Sequence, residues 1–146
     1  MAAYGRSFKL ADVDQNGYMA SAAERPQVLL VPEEGAYTKS PGILSYFEIC
    51  DRLEIANWTE VWMDDGKVPY AYGDGKWNPQ WVGYDNEDSI LYKVGMAKNY
   101  TLGGIMWWTP DLDDFKVSKN FSISNGIQYN DSRVNTVGKN IHCWQL

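Results

Sequence analysis

Histidine occurs once and cysteine twice in this 146-residue chain, basic residues are outnumbered, and no apolar run is long. Each shortage excludes something. A membrane-spanning helix needs about 18 consecutive apolar residues, and no stretch approaches that, so a membrane is not an expected partner. Lys and Arg number 13 against 19 Asp and Glu, for a net charge of −6. Nucleic acid and anionic bilayers both demand a basic surface, so nucleic acid is not expected either. His142 is the only imidazole and no Cys-x-x-Cys occurs, so no metal or other cofactor is expected. His142 also has no serine or cysteine nucleophile pattern near it, which leaves a catalytic triad unsupported. Cys50 and Cys143 have two readings, one disulfide or two free thiols. The opening MAAYGRSF has no basic region followed by an apolar run and is not a secretory leader.

Aromatic residues are plentiful instead, with seven Trp and ten Tyr. The 45% hydrophobic content fits one soluble globular domain with a real core. Four N-glycosylation sequons begin at Asn57, Asn99, Asn120 and Asn130, where chance would give about one. Sequons matter only in a secreted chain, so they point to an extracellular protein, and a secreted-type chain without a leader is expected to be a fragment. The bland alternative is polar loops rich in Asn and Ser.

Periodicity predicts mixed elements. YGRSFKL at 4–10 alternates as a short strand. Residues 11–41 read as loop around one apolar run, VLLV at 28–31. After Pro41-Gly42, a short helix would use Ile43, Leu44, Phe47, Ile49, Leu53 and Ile55. WTEVWMD, KVPYAYG and QWVGYD are aromatic, partly alternating strands, separated by turns at Asp65-Gly66, Asp74-Gly75 and Asn78-Pro79. Turns this tight require antiparallel pairing. Residues 43–84 are therefore expected to form an antiparallel sheet with one helix, with Ile49, Leu53, Trp58 and Trp81 in the core. Asp88 or Ser89 is the expected cap of a helix running to about Asn99. Gly103-Gly104 then opens an apolar strand, IMWW, in the pattern of a buried parallel sheet.

Three motifs invite chemistry. Asp12-Val-Asp14-Gln-Asn16-Gly17 opens like a calcium loop, but the twelfth position is Ala23 rather than Glu, so a solvated turn is the better reading. Asp111, Asp113 and Asp114 would suit glycoside chemistry only at set separations, and three acids after a strand are more often a helix start or a solvated loop. Trp107 and Trp108 stand at the end of the IMWW run. Neighbours in a strand face opposite ways, so one meets a helix layer and the other the opposite side, where α/β barrels place their sites. A broad indole there suits the apolar face of a sugar. The competing reading is two core tryptophans.

YGRSF at 4–8, GILSYFEIC at 42–50, KVPYAY at 67–72, WVGYDNEDSI at 81–90 and LGGIMWWTPDLDDF at 102–115 together resemble glycoside hydrolase family 18, the chitinases and chitinase-like lectins. The resemblance implies a (β/α)8 TIM barrel with an α+β insertion domain between its seventh strand and seventh helix. On it, 1–8 are like strand seven, 9–84 the insertion domain, and 85–115 helix seven and strand eight. Residues 116–146 are a divergent polar tail. The expected fold is thus α+β, an antiparallel sheet plus helix joined to the last strand–helix–strand elements of the barrel. Trp108 matches the family tryptophan that floors the sugar pocket. Tyr4 and Arg6 match a tyrosine and arginine lining the same cleft, and Tyr70 and Tyr72, on one strand face, would extend it. Trp107 would face outward.

Departures bound the function. The family's acidic signature DxxDxDxE and its strand-six tyrosine do not occur in this chain. Family members protonate the leaving oxygen with the Glu of that signature while the substrate's N-acetyl carbonyl attacks the anomeric carbon. The family often pairs the cysteine of EIC with one shortly after DDF. Asn120 stands near that place, so a Cys50–Cys143 bridge is open but not implied. The expected function is binding of chitin or chito-oligosaccharides without a catalytic acid. Alternatives are part of an active secreted chitinase, and a structural or protein-interaction module. Self-association through exposed barrel edges is a further expectation.

Overall fold

The computed structural model describes residues 1–25, 28–29, 32–73 and 79–113. Asp74-Gly75, Asn78, Asp114, Asn120, Asn130, His142, Cys143 and the tail over 116–146 lie outside the described residues. Among the described residues seven strands and two helices follow in order: β1 Tyr4–Lys9, β2 Glu24–Arg25, β3 Val28–Leu29, β4 Ile43–Ser45, α1 Tyr46–Glu54, β5 Thr59–Met63, β6 Val68–Gly73, β7 Gln80–Gly83 and α2 Glu87–Asn99. Five strands form one antiparallel sheet in the order β4-β1-β7-β6-β5, and β2 and β3 make a separate hairpin. The expected α+β class holds, and β1 is an interior strand of that sheet. Among the described residues, no helix is long and apolar enough to cross a membrane.

Local chemistry explains the boundaries. Ile43 and Leu44 extend into β4 instead of starting a helix, because Ser45 caps α1 one residue later. Its hydroxyl accepts from the Glu48 amide while the Glu48 carboxylate accepts from the Ser45 amide, a capping box. Ile55 is left as an exposed C-cap rather than a core residue. The cap of α2 is Asn86, one turn before Ser89; these two bond reciprocally, so Asp88 lies inside the first turn. The Asp65-Gly66 turn joins β5 to β6 as expected, with Lys67 in the left-handed region at φ 52°.

One buried cluster gathers Ala3, Leu44, Tyr46, Ile49, Cys50, Ala71, Val82, Tyr84 and Ile90. Leu53 and Trp58 pack against it. Trp81 does not belong to it. Its register partner in β1 is Phe8, which is half exposed, whereas Val82 opposite Ser7 is buried. Side chains alternate along β7, so Trp81 is on the opposite sheet face from Val82. The expected core thus loses one of its four members.

The expected strand over 102–108 is reduced to one parallel bridge, Ala2 to Trp108. The Ala3 amide donates to the Trp108 carbonyl at 3.0 Å and the Trp108 amide to the Met1 carbonyl at 2.9 Å. The Trp108–Thr109 peptide is cis, and a short 3-10 turn, Pro110–Leu112, follows.

Candidate functional site

The register of the sheet collects the aromatic residues. Arg6 stands opposite Gly83 and Phe8 opposite Trp81. Gly83 in turn faces Tyr70, and Trp81 faces Tyr72. Directly opposed residues share a face. Tyr4, Arg6, Phe8, Tyr70, Tyr72 and Trp81 therefore occupy the one face that turns away from the core. Four of these, Tyr4, Arg6, Tyr70 and Tyr72, are the residues singled out in the sequence. Phe8 and Trp81 are additions. Phe8 continues the i, i+2 series of Tyr4 and Arg6, a signal that was available. Trp81 required the register, since alternation alone does not say which half of a strand is buried.

The rings are mutually ordered. Trp81 stacks on Tyr70 with centroids 5.3 Å apart and planes at 21°. Phe8 tilts against Trp81 at 6.1 Å. The indole lies across Gly83, where a Cβ would meet it at 3.0 Å. Glycine at 83 is thus what lets the indole lie low. Arg6 is held over the Tyr4 ring at 5.6 Å, a cation–π contact that orients five N–H donors on an exposed side chain. Beyond Trp81 a pocket of roughly 260 Å³ opens between the sheet and the 17–22 segment, lined by Phe8, Leu10, Tyr18, Met19 and Trp81 among others.

The paired tryptophans differ in environment, but Trp107 does not face outward as expected: it is the member of the pair that turns inward. Trp107 packs against the buried cluster. Its indole N–H is buried with no hydrogen-bond partner among the described residues. Trp108 is 61% exposed. It bridges Ala2, which stands two residues before Tyr4, and so lies near the start of β1.

Acidic groups elsewhere serve structure. Glu48 is buried, and its carboxylate accepts from the Tyr37 amide at 2.6 Å, the Thr38 amide at 3.1 Å, and the Ser45 amide and hydroxyl at 2.9 Å each. Burial pushes this carboxyl up, but the Ser45, Tyr37 and Thr38 donors together hold it below its ordinary value. Burial, and then the neighbouring Asp88, push Glu87 up. Asp85 is buried between Lys93 and the Ser89 hydroxyl. Asp111 accepts from the Thr109 hydroxyl at 2.6 Å, and Asp113 is buried, so the two do not stand as a matched exposed pair. In the 12–17 loop, Asp12 accepts from the Asp14 amide at 3.0 Å and the Gln15 side chain at 3.4 Å, the pattern of a polar turn. Among the described residues no group of three or more His, Cys, Asp or Glu could hold a metal ion.

Residues 1–113 match the family described as glycosyl hydrolases family 18. The chain belongs to glycosyl hydrolase family 18. Ovis aries oviduct-specific glycoprotein is 42% identical over 113 residues, 77% of this chain and 19% of that protein. Mus musculus chitotriosidase-1 is 41% identical over 119 residues, 81% of this chain and 22% of its own length. The chain thus spans about a fifth of these family 18 relatives. The Ostrinia furnacalis Group IV chitinase structure superposes with a TM-score of 0.71 at 33% identity, covering 87% of this chain and 33% of that one. Human YKL-39, described as a pseudo-chitinase with retained chitooligosaccharide binding properties, gives 0.65 at 36% identity, covering 80% and 28%. The family 18 segment present here is the insertion domain with part of the barrel.

Proposed function

We propose that this chain supplies one wall of a chitin or chito-oligosaccharide cleft in an extracellular protein, binding sugar without contributing the catalytic acid. The observation that carries this reading is the sheet face turned away from the core, where Tyr4, Tyr70, Tyr72 and Trp81 are half-buried and Arg6 is exposed, together with exposed Trp108. Flat rings present the apolar surface that a pyranose face stacks on. Arg6 adds donors for hydroxyls and the N-acetyl carbonyl. YKL-39 supports binding without turnover, because that relative is described as a pseudo-chitinase that retains chitooligosaccharide binding. Titration of the chain with chitohexaose, read by tryptophan fluorescence, tests the proposal. Quenching that Trp108→Ala and Trp81→Ala each reduce is expected. An unchanged response in both variants overturns it.

A second reading is favoured by the relatives named chitinases: the same segment forms part of an active enzyme whose acid lies on sequence outside these residues. An upstream DxxDxDxE in the full transcript selects it.

A further inference from the structure

We propose that Asn57 carries an N-linked oligosaccharide, and that this glycan shields the outer edge of the antiparallel sheet. The proposal rests on the extracellular reading above and goes beyond it in assigning a modified atom and a purpose.

Strand order places β5 at the end of the sheet, paired on one side with β6 and, among the described residues, with no strand on the other. A strand edge offers unpaired amides and carbonyls to any second chain. Proteins blunt such edges with lysine, proline or a bulge. The sequence of β5, Thr-Glu-Val-Trp-Met, contains neither lysine nor proline, and its pairing with β6 runs one-to-one from Thr59 to Met63 without a bulge. The single charge, Glu60, is engaged by the Tyr84 hydroxyl. Trp62 is 37% exposed and adds apolar surface. At the far end, exposed Asp64 and Asp65 guard the turn. At the near end stands Asn57-Trp58-Thr59, with both Asn57 and Thr59 exposed.

The acceptor is well placed for this. Asn57 lies between α1 and β5 in the left-handed region, at φ 53°, a conformation asparagine tolerates. Trp58 is held by Arg52, whose guanidinium sits 5.0 Å from its ring, so the middle of the sequon is fixed inward while its two ends face solvent. Five residues of strand extend about 17 Å, a length a branched glycan rooted two residues away can sweep. In the transfer, the Asn57 amide nitrogen bonds to the anomeric carbon of a lipid-linked pyrophosphate oligosaccharide. The pyrophosphate oxygen leaves with the bonding pair, and the amide gives up one proton.

The test expresses the full chain in eukaryotic cells behind a cleavable secretory leader and maps glycopeptides from cells and medium together. Deamidation of Asn57 to aspartate by peptide N-glycosidase in heavy-oxygen water is expected, and its loss in Thr59→Ala. An unmodified Asn57 in the wild type overturns the site. Light scattering then compares the glycosylated wild type with Thr59→Ala, which lacks only the Asn57 glycan and is expected to associate, and with the wild type after enzymatic deglycosylation. The deglycosylated form is expected to at least double its mean mass, and Trp62→Lys to restore the monomer by charging the edge. Equal mass before and after deglycosylation, or association that Trp62→Lys leaves intact, overturns the shielding role. Chitohexaose titration of both forms reads the sugar face separately, so its failure bears on the cleft and not on Asn57.

Discussion

Trp107 and Trp108 are adjacent in sequence and opposite in environment. Trp107 contributes packing to the core, whereas Trp108 is 61% exposed and contributes surface. Truncation should separate them. Trp107→Ala is expected to lower unfolding free energy by about 2 kcal/mol, less than a fully buried indole because Trp107 is only partly enclosed. Trp108→Ala should change stability by no more than about 0.5 kcal/mol while weakening chitohexaose binding. Urea midpoints and fluorescence titration on the same two variants check both halves. Gly73 gives a second residue-scale case. A Cβ there would stand 2.0 Å from the Trp58 indole nitrogen, inside the packed side of the sheet. Gly73→Ala should therefore cost about 1–3 kcal/mol through overpacking, visible as a lower urea midpoint.

Among the elements, α1 depends on one carboxylate. Glu48 completes the cap of its own helix and also straps the 35–38 turn to it through the Tyr37 and Thr38 amides. Gly35 must lie beneath, since a Cβ would come within 2.3 Å of the carboxylate. Because the donors hold Glu48 below the ordinary 4.5, the unfolded chain takes up the proton first as pH falls. The stabilisation is fully present above that value and is lost as pH drops through the lower, folded one. Glu48→Gln should cost about 2 kcal/mol at pH 7, as expected for hydrogen bonds to a charged group. It should also flatten the stability loss below pH 4.5. Urea midpoints at pH 7, 4.5 and 3 check the sign. A variant that loses as much stability on acidification as the parent chain would contradict it.

At the scale of the whole molecule, binding and catalysis separate. Aromatic faces and one arginine make the candidate surface, and the net charge of −6 gives no attraction for a neutral sugar. Chito-oligomer affinity should be high micromolar to millimolar, on the order of −4 to −6 kcal/mol. It should change little between low and high salt. Calorimetry at two ionic strengths checks this, and binding abolished by moderate salt would point to nonspecific electrostatics. The chain alone should not turn over a fluorogenic chitotriose, because the acidic signature is absent from its sequence and general acid–base catalysis typically contributes about 10²–10⁴-fold. Turnover that co-purifies with the chain and is lost in Trp108→Ala would refute it.

By itself, the sequence determined what is local. Alternation in KVPYAYG set Tyr70 and Tyr72 on one face, the Asp65-Gly66 turn made β5 and β6 antiparallel neighbours, and adjacency forced Trp107 and Trp108 apart. Five short motifs between residues 4 and 115 carried the family resemblance. What only the tertiary structure decided depends on contacts between distant segments. Trp81 reads equally well as core or surface until register with Phe8 and Tyr72 fixes its face. Ile43 and Leu44 suit a helix until β1 offers them a strand partner. The apolar IMWW run reads as a buried strand, yet it forms one bridge with residues at the chain's start, because a strand is completed by its neighbours and not by its own side chains.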